Sequence, residues 1–240
     1  MKRAIVIGAS SGIGKQVAQM LIDEGWTVGL AARRDGMLMA MMHAHEDRVK
    51  VEKIDVTASS ATESLTHLIK RIGGMDLFFY AAGIGKQNPE LDETIELSTA
   101  RTNGVGFMRM IGEAFRYFAA KGEGHIVAIT SIAGTKGLGP APAYSATKAM
   151  QSTYLQALEQ LAYQRGLKIS FTDIRPGFVD TDLLSGTHKY PMLMKPEPVA
   201  KAIMQAIKSK KHICVIDTRW RLLTMLWRRI PRCIWRRMKL

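Results

Sequence analysis

The stretch "RAIVIGASSGIG" at residues 3–14 runs from a short apolar segment into a turn holding Gly8, Gly12 and Gly14. A segment of helical character follows, starting near Ile13. A short run that is apolar on successive residues suits a strand buried on both faces. Glycines let the chain turn tightly and approach a pyrophosphate, while the free N–H groups and positive dipole end of the next helix hold negative charge. The strand–turn–helix context therefore predicts a dinucleotide-binding loop made of Gly8, Ser10, Ser11, Gly12, Ile13 and Gly14.

Outward from this loop the same alternation continues. "TVGLAA" (27–32), "VKVEKI" (49–54), "MDLFFYA" (75–81), "HIVAITS" (125–131), "KISFTDI" (168–174) and "HICVI" (212–216) read as strands. Helical patterns occupy 13–24, 58–72, 99–121 and 145–165. Alternating strands and helices predict an α/β fold: one Rossmann-type, doubly wound domain with a seven-stranded, mostly parallel sheet and helices on both faces. At 240 residues there is room for one such domain and little for a second. The domain spans 1–217; composition shifts at 218–240, a basic tail of amphipathic helical pattern.

Charge follows the same division. The formal net charge is +13, of which residues 218–240 carry +8 with no acid, leaving +5 for residues 1–217. Basicity confined to one end, without a nucleic-acid motif, argues against nucleic acid as a partner. Cys214 and Cys233 have neither disulfide nor metal spacing, so free thiols in a reducing compartment and no metal are expected. The start "MKRAIVIGASSG" reads as a strand rather than a signal peptide, and no run approaches the roughly 18 apolar residues of a spanning helix. A cytoplasmic protein is expected, with any membrane contact peripheral.

The cofactor choice turns on the end of the second strand. A carboxylate about 20 residues past the loop marks NAD, because it binds the ribose 2′-hydroxyl. Here "GLAARRDG" puts Ala32 in that place, followed by Arg33 and Arg34, with Asp35 next. Guanidiniums suit a 2′-phosphate, and NADP(H) is the expectation.

Further motifs appear in order: Asp55-Val56, Ala82-Gly83, Asn103 in "RTNGVG", Ser131 in "ITSIAG", Tyr144 and Lys148 in "AYSATKAM", and "RPGFVDT" at 175–181. Together with the glycine loop they resemble the short-chain dehydrogenase/reductase family, in its form of about 250 residues, over roughly 1–217. Tyr144 and Lys148 stand four apart on one helix face. A free tyrosine titrates near 10; a lysine ammonium beside it, with an oxidised nicotinamide ring, is expected to pull that value down. Tyr144 would then pass a proton to or from a substrate oxygen that Ser131 holds. The resemblance implies further contacts. Lys148 meets the nicotinamide ribose, and Asn103 sits at a helix irregularity that holds a water for proton relay. Asp55 with Val56 lies toward the adenine, and Ala82 and Gly83 approach the cofactor. The segment with Pro176, Gly177, Val179 and Thr181 meets the nicotinamide amide.

The family usually has Asn-Asn-Ala-Gly after the fourth strand, whereas this chain has Tyr80-Ala81-Ala82-Gly83. The bonds that two amides would supply to the central sheet must come from elsewhere or be absent. Between residues 182 and 195, where the family keeps a flap over substrate, Leu183, Leu184, Met192, Leu193 and Met194 give an apolar surface, with His188 and Lys189 as solvated exceptions. Such residues suit a bulky apolar carbonyl or alcohol, or simple packing on the core.

In the tail, Trp220, Leu223, Leu226, Trp227 and Ile230 fall within one helical arc of about 120°, Pro231 breaks the helix, and Trp235 follows. The pattern resembles an anchor on anionic membrane, with tryptophan at headgroup depth. A contact within a homodimer or homotetramer comes second, and packing on the enzyme's own body third. Two functions are open: an NADP(H)-dependent reductase of an apolar or lipid-like carbonyl compound, or a non-catalytic NADP(H)-binding regulator or scaffold of the same fold.

Overall fold

The computed structural model describes residues 2–184 and 190–238. Seven strands, β1 (Arg3–Ile7), β2 (Thr27–Ala32), β3 (Val49–Lys53), β4 (Leu77–Tyr80), β5 (Glu123–Ile129), β6 (Lys168–Arg175) and β7 (Ile213–Val215), form one sheet in the order β3-β2-β1-β4-β5-β6-β7. Each neighbouring pair is parallel, where a mostly parallel sheet was expected. Strand alternation explains why the central runs are apolar on successive residues, whereas the edge strand β3, VKVEK, alternates. Ala4, Val6, Leu77 and Phe79 enter one core, whereas Ile5, Ile7, Phe78 and Tyr80 enter the other.

The first core is covered by α1 (Gly12–Asp23), α2 (Gly36–His43) and α7 (Pro196–Lys208); the second by α3 (Ala61–Arg71), α5 (Phe107–Lys121) and α6 (Pro142–Gln164). The expected helix over 99–121 is interrupted. The α4 helix (Glu93–Thr99) passes into a π-helical turn, Ala100–Gly106, before α5 begins. Strand order reverses between β1 and β4, so the loops after these two strands leave the sheet in opposite directions and open a crevice at their carboxyl ends.

The tail makes the contact that was expected third, packing on the body of the domain. It forms α8 (Thr218–Trp227) and α9 (Arg232–Trp235), with Pro231 between them. Trp220 is only 2% exposed and meets Phe178 edge-on at 5.6 Å. A Cβ on Gly177 would fall 2.3 Å from the Trp220 Nε1, so only glycine admits this contact. Trp227 donates from Nε1 to Thr135 Oγ1 at 2.6 Å, and Trp235 donates from Nε1 to the Gly137 carbonyl at 2.8 Å. An indole offers a large apolar body with one donor; the domain's surface receives both for Trp227 and Trp235, whereas the Trp220 Nε1 is buried with no hydrogen-bond partner among the described residues. Packing on the body therefore claims all three tryptophans. The inward side is Trp220, Thr224 and Trp227, while Leu222, Leu223, Met225 and Leu226 face outward. No helix among the described residues is long and apolar enough to cross a membrane.

Candidate active site

The glycine turn after β1 is shaped by close approach. Gly8 has φ +87°, and a Cβ there would lie 2.6 Å from the Ala82 backbone nitrogen. The two loops that flank the reversal of strand order therefore touch through bare backbone. At the start of α1, Ser11 is extended and gives no side-chain cap, and the first turn holds no acid. Its amides are left for solvent or an anion. Ser10 is buried, Ser11 and Ile13 half-buried. Thr181 Cγ2 lies 3.1 Å from where a Gly12 Cβ would be, which brings the segment after β6 against the same loop. The Pro176 carbonyl accepts from the Ile132 amide at 3.1 Å, and buried Val179 bridges to Met194. These contacts fit a nucleotide's phosphates and amide: a narrow cradle of backbone with free donors and no competing carboxylate.

At the outer end, Ala32 closes β2 and is buried, while Arg33 and Arg34 are exposed. Asp35, the next residue, accepts with its carboxylate from the Gly36 amide at 3.1 Å as the cap of α2, and Arg34 lies 3.9 Å from the Asp182 carboxylate. The sequence reading missed α2; its Met-rich, short span carries no clear period. The Thr57 amide and hydroxyl bind Asp55 at 2.9 and 2.7 Å. That amide, then the hydroxyl and the Arg33 charge, hold the Asp55 carboxyl below its ordinary value against the opposing effect of burial. Val56 belongs to the core, and its carbonyl accepts from Arg109 at 2.8 Å.

The polar residues gather at the other end. Ser131 follows β5 and accepts from the Ala133 amide at 3.1 Å. Tyr144 and Lys148 stand one turn apart at the start of α6. Lys148 is 4% exposed; its Nζ donates to the Ile129 carbonyl at 3.1 Å and to Gln151 Oε1 at 3.0 Å, and sits 5.7 Å from the centre of the Tyr144 ring. Burial pushes the Lys148 ammonium down to about 8, opposed by the charge of Asp173. Burial also pushes the Tyr144 phenol up, opposed by hydrogen bonding with Ser131. The expected lowering joined the ammonium with an oxidised nicotinamide ring; the chain's own groups, with burial the largest, set the opposite direction. Burial penalises the phenolate, and two of the ammonium's three donors go to Ile129 and Gln151. Asp173 is itself tied to Thr130 at 2.5 Å and to Arg175 at 2.8 Å.

Asn103 lies inside the π-helical turn, as the resemblance implied for a helix irregularity. Its side chain accepts from the Ile84 amide at 2.9 Å and donates to the Ile84 carbonyl at 2.7 Å, which pins the loop after β4. Gly83, in that loop, would carry a Cβ 3.3 Å from Asn103 Oδ1 and 3.7 Å from Lys148 Nζ. The main-chain carbonyl of Asn103 accepts from Gln151 Nε2 at 2.8 Å. Gln151 was missed by the sequence reading. Its signal is a polar residue three positions beyond Lys148 on the face that α6 buries.

Where the Asn-Asn pair is replaced, the main chain still joins the two loops, the Ala81 amide donating to the Ile7 carbonyl at 2.8 Å. Tyr80 turns into the second core, edge-on to Phe107 at 5.2 Å. On the substrate side, Leu183 and Leu193 are exposed, Met194 packs on the first core, and Phe178 stacks near Tyr190 at 4.7 Å. His188 and Lys189 lie outside the described residues. Among the described residues no group of three or more His, Cys, Asp or Glu could hold a metal ion, and Cys214 and Cys233 are free.

A family model described as short chain dehydrogenase matches residues 2–190. An uncharacterised oxidoreductase of Staphylococcus aureus is 31% identical over 219 residues, covering 89% of this chain and 94% of the relative. Glycine betaine reductase of Emericella nidulans is 32% identical, over 89% of this chain and 18% of its own length. Among solved structures, ElxO with NADP bound has a TM-score of 0.81 at 23% identity, covering 92% of this chain and 99% of that one. A short-chain dehydrogenase from Sphingobium yanoikuyae in complex with NADPH has a TM-score of 0.82 at 19% identity, covering 97% of each chain.

Proposed function

We propose, for a chain that belongs to the short-chain dehydrogenase family, that it is an NADP(H)-dependent oxidoreductase interconverting a carbonyl and an alcohol. The observation that carries this reading is the gathering of Ser131, Tyr144 and Lys148 at one end of the glycine cradle, beside the Asn103 turn. NADP(H) is favoured by exposed Arg33 and Arg34 together with the commitment of Asp35 to a helix cap. The nucleotides in the two structural neighbours point the same way.

When bound, the reduced nucleotide supplies a hydride to the carbonyl carbon. The chain supplies the proton and the positions. Tyr144 gives its phenolic proton to the carbonyl oxygen, completing the alcohol, and its raised value keeps that proton in place at neutral pH. Ser131 hydrogen-bonds the same oxygen, Lys148 stabilises the phenolate left behind, and Asn103 holds the loop on which the nicotinamide end would rest. Gly8, Ser10, Ser11, Gly12, Ile13 and Gly14 take the phosphates. Asp55 and Val56 lie toward the adenine; Ala82, Gly83, Pro176, Gly177, Val179 and Thr181 lie along the nicotinamide half. The non-catalytic alternative rests on the lost Asn-Asn pair alone.

The substrate reading is apolar or lipid-like, supported by exposed Leu183 and Leu193 beside the crevice. The tail supports a surface to match: Leu222, Leu223, Met225 and Leu226 face outward among Arg221, Arg228 and Arg229, with no acid in the segment. Anionic lipid is the occupant whose charge complements this face. Co-sedimentation with phosphatidylglycerol vesicles should fall for Leu222→Ser with Leu226→Ser; an unchanged bound fraction, or loss of a dimer in its place, removes lipid from the account. The reaction is tested by NADPH oxidation across ketones of rising chain length. Turnover that Tyr144→Phe abolishes, with NADPH binding retained, supports the reading; failure of every carbonyl compound favours the scaffold.

A further inference from the structure

Gln151 is completely buried, as is Asn103, and Lys148 is nearly so. Its side-chain oxygen accepts from Lys148 Nζ at 3.0 Å and its nitrogen donates to the Asn103 main-chain carbonyl at 2.8 Å. The amide orientation follows from its neighbours. A flipped amide would set NH2 against an ammonium and oxygen against a carbonyl, two repulsive contacts in a buried place. The residue therefore has one orientation, and it joins the lysine of α6 to the π-helical turn.

We propose that Gln151 is a positioning residue for the reaction, its amide standing between Lys148 and the Asn103 carbonyl at the turn where the resemblance implies a water. It aims the ammonium toward Tyr144 and fixes the turn that pins Ile84. The substitution also changes what the bridge can do. A water exchanges protons with its neighbours, whereas a carboxamide passes none without adopting a costly imidate form. Lys148 is thereby closed from solvent on this side, and the proton that Tyr144 gives up is renewed from the crevice. This inference rests on the proposed reaction, but its geometry is a property of the protein alone.

Two substitutions separate positioning from packing. Gln151→Met fills nearly the same space with no hydrogen bond. Gln151→Ala leaves a small space lined by Nζ and a carbonyl, polar enough to admit a water that restores the bridge. A packing role would rank Met above Ala in melting temperature, in kcat and in nucleotide affinity alike. The bridge ranks Ala above Met in kcat and in NADPH affinity read by fluorescence titration. The Met variant is expected to lose about 10-fold in each, the effect of one or two buried hydrogen bonds, and the Ala variant no more than about 3-fold. KM for the carbonyl compound should stay constant in both. Activity and affinity that rank Met above Ala, or that equal the wild type in both variants, overturn the proposal. If the wild type reduces no carbonyl compound, the reaction is wrong, and the order of NADPH affinities still decides the role of Gln151.

Discussion

Tyr80 offers a test of the interior in which removing a polar atom should strengthen the fold. Its ring is fully buried, and its hydroxyl has no hydrogen-bond partner among the described residues. Burial pushes the phenol upward, so the group stays neutral and contributes only a stranded dipole. An unsatisfied buried hydroxyl costs about 1–3 kcal/mol. Tyr80→Phe keeps the edge-on contact with Phe107 at 5.2 Å and the contact with Phe78 at 6.5 Å. The space of one oxygen gives back under about 1 kcal/mol as a void. The net expectation is a gain of about 1–2 kcal/mol, which at this chain length raises the melting temperature by roughly 3–6 °C. Urea unfolding should show a higher midpoint at an unchanged m value. NADPH affinity should not change, because the ring points into the core on the far side of the sheet from α1. An equal or lower midpoint refutes the reasoning, since it would mean that the hydroxyl is satisfied in the folded protein.

Three further outcomes follow from other parts of the molecule. His125 is buried against Thr172 at 2.8 Å, and burial, aided by the Lys210 charge, lowers it to about 4. The folded protein keeps it neutral while the unfolded chain protonates near 6.5, so stability is full above 6.5 and declines toward pH 4 by up to about 3 kcal/mol. His125→Gln should flatten that limb, and identical slopes in urea unfolding at pH 7 and pH 4.5 would contradict it. Replacing Arg33 and Arg34 together by serine should weaken NADPH by about 10- to 100-fold, as charge-assisted hydrogen bonds to a phosphate are lost, and leave NADH within about 3-fold; equal losses for both nucleotides would remove the 2′-phosphate contact. Trp220→Ala, which empties the space over Gly177 and Phe178, should cost about 3 kcal/mol, and deletion of 218–240 more; a deletion that leaves the urea midpoint unchanged would return the segment to the status of a detached tail.

The legible part of the fold was the part in which local pattern and global role coincide. β1 and the turn at Gly8 combine a strand apolar on both faces with a turn that bare backbone alone can make, and both signals sit within a dozen residues. The seven strands emerged with their ends shifted by one or two residues. Helix α2 was hidden because eight residues, four of them Met, show no face, and α7, which Pro196 opens, was not among the helical patterns read. The tail misled for a different reason. A helical arc says which residues share a face, but not which solvent the face meets, and an indole with one donor satisfies a protein surface as well as a headgroup. At the site, Ser131, Tyr144 and Lys148 were readable from type and spacing. The sign of the phenol's shift was not, because it depends on how deeply α6 sinks its first turns and on where the ammonium's donors point. Gln151 escaped for the same reason: its meaning comes from the carbonyl of a π-helical turn distant in sequence.

The most direct measurement follows the label from NADPH deuterated at both C4 positions into the product formed from an apolar ketone in ordinary water. One deuterium on the carbinol carbon, with the hydroxyl proton drawn from solvent, and no product from Tyr144→Phe despite retained NADPH binding, is the expected result. Product without deuterium, or Tyr144→Phe turning over at the wild-type rate, would contradict hydride delivery to a carbonyl protonated by Tyr144.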